Sequence, residues 1–173
     1  NATHYQFGVA RFTATGQPDL SFNGSGIEAT PIGPGSALGA AVAVDPQGRI
    51  IVAGSSANGP NIVFTLARYL PTGGLDPSFG SGGLRQVPDL GSFAQGHVLR
   101  NGNLLAVGAP KVTCGGPAGP PTLLAGFDSS GNLATGFGFG GFRSVNFRSA
   151  PVANLAPSGK ILLLGPVRRS QKR

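Results

Sequence analysis

The stretch Phe64–Leu84, FTLARYLPTGGLDPSFGSGGL, repeats an earlier one, Phe7–Ile27, FGVARFTATGQPDLSFNGSGI. Phe7, Ala10, Arg11, Gly16, Asp19, Ser21, Phe22 and Gly26 return as Phe64, Ala67, Arg68, Gly73, Asp76, Ser78, Phe79 and Gly83, all at a spacing of 57. A third copy, Leu123–Phe142, LLAGFDSSGNLATGFGFGGF, keeps Phe127, Gly131, Phe137 and Gly141. It carries Gly126 where the arginine stood and Ala134 where the aspartate stood. A period of this length is the mark of a repeat architecture, in which one supersecondary unit recurs and neighbouring units bury each other's faces.

A second signature lies between the copies. Val42–Gly54 reads VAVDPQGRIIVAG, Gly96–Gly108 reads GHVLRNGNLLAVG and Ala153–Gly165 reads ANLAPSGKILLLG. Each is an apolar strand, a turn with glycine, a second apolar strand and a closing glycine, which is the pattern of a hairpin. The full unit is then four short strands. Strand one falls near 41–44, 96–99 and 152–155, strand two near 49–53, 103–107 and 160–164. Strand three falls near 7–12, 63–69 and 123–127, strand four near 27–32, 84–87 and 142–147. Sustained 3.6-residue periodicity is missing, so almost no helix is expected. Ala37–Val44, ALGAAVAV, has helical propensity, but its alternation and the turn residues after it favour a strand. The Pro/Gly-rich insertion Gly108–Pro121 carries Cys114 and reads as an exposed loop.

The chain has 173 residues, enough for one compact domain with a sizeable core. Its 30 glycines and 15 prolines would suggest disorder if they were scattered, but they recur at matching places and mark turns. Charged residues make up only 11%, with 13 Lys and Arg against 6 Asp and Glu. Four of the cations, Arg168, Arg169, Lys172 and Arg173, crowd the last six residues, and without them the balance falls from +7 to +3. Such a tail is either a frayed, solvated terminus or an electrostatic contact for acidic protein, anionic lipid or nucleic acid. A single cysteine excludes an intrachain disulfide framework. No apolar run approaches the ~18 residues that span a bilayer. The chain begins at Asn1 and has no Met, which fits a processed product or a fragment and, with a removed leader, an exported protein.

Leu66-Ala67-Arg68-Tyr69, Gly74-Leu75-Asp76-Pro77-Ser78-Phe79-Gly80 and Asp45-Pro46-Gln47-Gly48-Arg49-Ile50-Ile51-Val52-Ala53-Gly54 together resemble the delta-sixty repeat family. The likeness runs through nearly the whole chain, strong in two copies and eroded in the third. It implies a β-propeller-like fold in large bacterial exported or surface proteins, and no established catalytic residues.

Candidate chemistry is thin. Asp19 and Asp76 suit turns in which the carboxylate accepts backbone N–H bonds. Arg11 and Arg68 suit structural arginines paired with those carboxylates. Gly136–Gly141 spells GxGxxG, but no helix pattern follows, and these glycines occupy the turn positions of the other copies. His4, His97 and Cys114 are too few and too scattered for a zinc site. Phe142-Arg143 and Phe147-Arg148 mix aromatics with cations, as single-strand binders do, yet their phenylalanines fit inward positions of strand four.

The reading is an all-β fold: a propeller-like array of three four-stranded antiparallel repeats, with N- and C-terminal strands able to complete one shared blade. Residues 1–167 form a single domain with units at about 7–63, 64–122 and 123–167, followed by the tail 168–173. The expected function is a non-enzymatic structural or protein-interaction module, an accessory subunit of an exported (periplasmic, cell-surface or extracellular) or membrane-associated bacterial assembly. The alternative is a propeller that binds a small ligand or glycan. No cofactor, metal or nucleic acid is expected. Partner contact is placed on Arg168, Arg169, Lys172, Arg173 and Lys111, and a homodimer is one arrangement of the repeats.

Overall fold

A computed structural model of the chain describes residues 4–87, 90–98, 103–110, 122–145, 152–156 and 158–165. Among them there is no helix. Twelve strands follow one another: β1 (Phe7–Ala10), β2 (Ile27–Thr30), β3 (Ala37–Val44), β4 (Ile50–Asn58), β5 (Asn61–Tyr69), β6 (Leu84–Val87), β7 (Leu90–Val98), β8 (Leu104–Pro110), β9 (Thr122–Phe127), β10 (Phe142–Val145), β11 (Val152–Leu155) and β12 (Ile161–Leu164). Each overlaps a stretch where the pattern of apolar runs and turn residues put a strand, and ALGAAVAV is β3. β7 starts earlier than expected, at Leu90, and β8 takes in Gly108–Pro110, the head of the expected loop, because these residues pair with β7 and β9.

The strands form antiparallel meanders. Two sheets have four strands, β3-β4-β5-β6 and β7-β8-β9-β10, and two have only two strands, β1-β2 and β11-β12. The complete sheets therefore run from strand one to strand four of the sequence unit. The two share a register: Ile50 faces Tyr69 and Val52 faces Ala67 in the first, as Leu104 faces Phe127 and Ala106 faces Ala125 in the second.

Side chains alternate across a strand, so a sheet covered on both faces needs apolar residues at consecutive positions. β4 shows this. Ile50 and Val52 pack with Phe7, Val9, Phe22, Ala67 and Tyr69, between the β1-β2 sheet and the first complete sheet. Ile51 and Ala53 point the other way and pack with Phe64, Leu66, Phe79, Leu104, Ala106 and Phe127, between the two complete sheets. β8 repeats the rule, with Leu105 and Val107 packing against Ala153, Ile161 and Leu163. The sheets thus pack face to face in chain order, with one apolar layer at each junction. Fully burying one such leucine, isoleucine or phenylalanine is worth about 1.5–3 kcal/mol.

The end sheets differ. In β1 only Phe7 and Val9 are buried, and in β12 burial alternates in the same way. Among the described residues the expected shared blade is not formed: there β1 pairs only with β2, and β12 only with β11. No closed ring of sheets is present among the described residues. The alternating patterns at the two ends fit a pair of half-sheets, each covered on one face. No helix among these residues is long and apolar enough to cross a membrane.

Candidate functional site

The recurring polar residues converge on one knot in each of the first two copies. In the second, Arg68 is the last residue but one of β5 and Asp76 opens the tight turn that follows it. Arg68 Nε donates to Asp76 Oδ2 at 2.8 Å. Asp76 Oδ1 accepts from the Ser78 backbone N–H at 3.0 Å and from the Ser78 hydroxyl at 2.7 Å. Arg68 Nη2 reaches Ser78 Oγ at 3.0 Å, and its guanidinium lies 4.5 Å over the Phe79 ring. Arg49, held by Asp45 at 2.6 Å, brings a second cation to 3.7 Å from Asp76. Burial disfavours the Asp76 carboxylate, but Ser78 and Arg68 outweigh it and hold its carboxyl below the ordinary value.

The first copy builds the same knot. Arg11 Nε lies 2.8 Å from Asp19 Oδ2, Ser21 donates to Asp19 Oδ1 through both N–H and hydroxyl, and Arg11 sits 4.9 Å over Phe22. The two Ser21 bonds, with a smaller contribution from Arg11, lower the Asp19 carboxyl. The expected arginine–aspartate pairing is thus present in both copies.

Each knot also grips the next repeat. Arg11 Nη1 donates to the Pro71 carbonyl at 2.5 Å, and Arg68 Nη1 donates to the Ser129 carbonyl, the same position of the following turn. Beside them the Asn23 N–H donates to Thr72 O at 2.7 Å and the Gly80 N–H to Ser130 O at 3.2 Å. Gly131 has a positive φ of 85°, and a Cβ there would meet the Phe79 ring at 2.6 Å, so glycine lets the two turns close on each other. This reach was not legible in the sequence, because a backbone carbonyl acceptor carries no residue signature. The matched spacing of the turns was the one available signal.

In the third copy the knot is dismantled. Gly126 replaces the arginine, and Phe137 occupies the vacated space, where a Cβ at Gly126 would meet it at 2.7 Å. The arrangement of Arg, Asp and Ser is therefore a tie between repeats; it leaves no free nucleophile and no open carboxylate pair. Among the described residues no group of three or more His, Cys, Asp or Glu could hold a metal ion. Phe142 packs against the layer between the complete sheets and Arg143 is exposed, as the inward reading of strand four requires. Lys111, Cys114, Phe147, Arg148, Arg168, Arg169, Lys172 and Arg173 lie outside the described residues, and His97 lies in β7 opposite Leu105. A cleft of about 340 Å³ opens beside β1, lined by Gly8–Ala10, Gly39–Val42 and Val52. Its lining side chains are aliphatic or hydrogen and offer a ligand no charge or hydroxyl.

With four-stranded meanders stacked in chain order, the comparison with known families is direct. Residues 46–79 match a β-propeller family. Its description is a domain of unknown function (DUF5122), beta-propeller. The matched segment runs through β4 and β5 to the end of the Asp76–Phe79 turn, so it includes one complete knot. The chain is thereby similar to β-propeller-like repeats. No curated protein matches the sequence.

Proposed function

We propose that this chain is a non-enzymatic structural and protein-interaction module, built as a propeller-like array of three repeats of the delta-sixty kind. In this reading it serves as an accessory subunit of a larger bacterial assembly, exported or membrane-associated. One observation carries it: the polar residues that recur are engaged in joining repeat to repeat, while apolar faces at both ends of the array stay uncovered. Leu162 and Leu164 are exposed on β12, as are Phe12 and Ile27 on the opposite end sheet. Exposed apolar surface of this kind, set in a chain with few charges, marks a surface made for burial.

The test is the native mass of untagged chain taken from its source, with co-eluting proteins identified. A particle much larger than one or two chains, containing other proteins, is the expected result. A chain that elutes alone at every stage and turns over a substrate in a His97-dependent way would overturn the reading. We assign a second contact to the basic tail and Lys111. Deleting 168–173 should weaken partner binding about tenfold at low salt and less at high salt. Unchanged binding would remove the tail from the proposal.

A further inference from the structure

The two half-sheets are complementary in a way that reaches beyond a general docking role. Arg11 N–H donates to Gly26 O on the β2 side, so the backbone alternation turns the polar groups of Gly8 and Ala10 to the opposite edge of β1, which no described strand takes. In the complete sheets that edge is taken by strand two: β4 pairs with β5 and β8 with β9. The cleft of about 340 Å³ is lined by Gly8, Val9 and Ala10 of β1 and by no residue of β2. The apolar floor beside it is bare. Val42 pairs with Val52 and shares its face, yet Val52 is buried and Val42 is 64% exposed.

The other end of the molecule carries the missing piece. Leu162 and Leu164 occupy the positions of Ile51 and Ala53 in β4 and of Leu105 and Val107 in β8. Those four are buried against the following sheet, whereas Leu162 is 58% and Leu164 76% exposed. β12 also has an edge that no other described strand takes. We propose that β12 of a second copy of this chain adds to the free edge of β1, so that Leu162 and Leu164 fill the cleft over Val42 and Val52. Two chains would exchange these strands reciprocally, each completing the other's half-sheets, in a closed two-fold arrangement. The complete sheets fix the register, because both show it: Ile161 opposite Phe12, Leu163 opposite Ala10 and Gly165 opposite Gly8.

A second copy is the occupant because closure within one chain would leave about three blades, below the usual range of about four to eight, while the exchanged pair lies inside that range. The knots add a further argument. The third copy lacks the arginine that would tie it to a following turn, so this junction depends on strand pairing and apolar contact. The inference rests on the propeller reading above and names one partner for it.

The test uses the full chain in a Cys114→Ser background. Chains carrying Ala10→Cys alone and Leu163→Cys alone are coexpressed and oxidised. In the expected register the Cα atoms lie ~5.5 Å apart, within disulfide range. The expected product is a linked pair containing one chain of each kind, at a native mass of two chains. Ala10→Pro should halve that mass, since it removes an N–H from the free edge without touching the β2 pairing. Leu164→Asp, on a side chain already exposed in the single chain, should do the same and guards against a misfolded proline variant. A link that forms only within a chain carrying both cysteines, at the mass of one chain, would overturn the exchange in favour of closure in cis. So would a single-chain mass with no link. Closure in cis would cover the same end faces and so also remove the support for the proposed function. A single-chain mass with no link leaves those faces free and the proposed function to its own test, the partner proteins from the source.

Discussion

The Arg68–Asp76 knot and the Arg11–Asp19 knot are built from the same residues at the same spacing, yet they sit in different surroundings. Arg68 and Asp76 are 4% and 6% exposed, while Arg11 and Asp19 are each 28% exposed. The separation hardly differs, with Nε to Oδ2 at 2.8 Å in both, but Arg68 Nε–H is aimed at its carboxylate as a hydrogen bond while Arg11 Nε–H is not. What differs is the cover. The second knot lies between two complete sheets and receives Arg49 from the neighbouring hairpin. The first lies at an end sheet, where Phe12 is exposed while its counterpart Tyr69 is buried and bonded to Thr30 at 2.9 Å. A local motif therefore brings the two charges to contact distance, while the stack of sheets sets the aim of the hydrogen bond and its energetic weight.

The largest expected effect separates the two knots. Arg68→Ala leaves a buried carboxylate with only Ser78 and the Arg49 cation at 3.7 Å, and should destabilise the chain by about 3 kcal/mol, read as a fall in the urea midpoint. The equivalent change in the first knot should shift the midpoint by about a fifth as much, because water replaces the lost partner there. Equal shifts would break the comparison.

Acid titration sharpens it. The Asp76 carboxyl is lowered from its ordinary value of 3.8 in the folded chain. Its stabilising contribution is complete above the unfolded value and is lost as the pH falls through the folded one. Asp76→Asn should thus flatten the loss of stability below about pH 4, whereas Asp19→Asn should flatten it less. A steeper acid limb in Asp76→Asn would contradict the sign.

The smallest effect is the salt response. Added salt should reduce the cost of Arg11→Ala and leave that of Arg68→Ala nearly unchanged, because ions screen the exposed pair and barely reach the buried one. Parallel salt dependence in the two variants would mean that the two knots are equally wet.

The strands were legible because their determinants are local. Apolar runs of Val, Ile, Leu and Phe end at turn glycines such as Gly48, whose φ of 75° another residue would resist. The pairing of Arg68 with Asp76 could be named from spacing, because both belong to one short turn.

Three things were not legible. The reach of Arg68 to the Ser129 carbonyl spans two sheets and ends on a backbone atom. The approach of Arg49 to Asp76 depends on how one hairpin leans on its neighbour. The separation of β1-β2 from β11-β12 is a matter of long-range closure, which strand pattern permits equally in one chain or between two. By itself the sequence determined strands, turns and the internal chemistry of each knot, since these are set by residues a few positions apart. Burial, the ties between repeats and the two open edges were decided only in the tertiary structure. They depend on which sheet comes to lie over which, and a repeating sequence offers every sheet the same face.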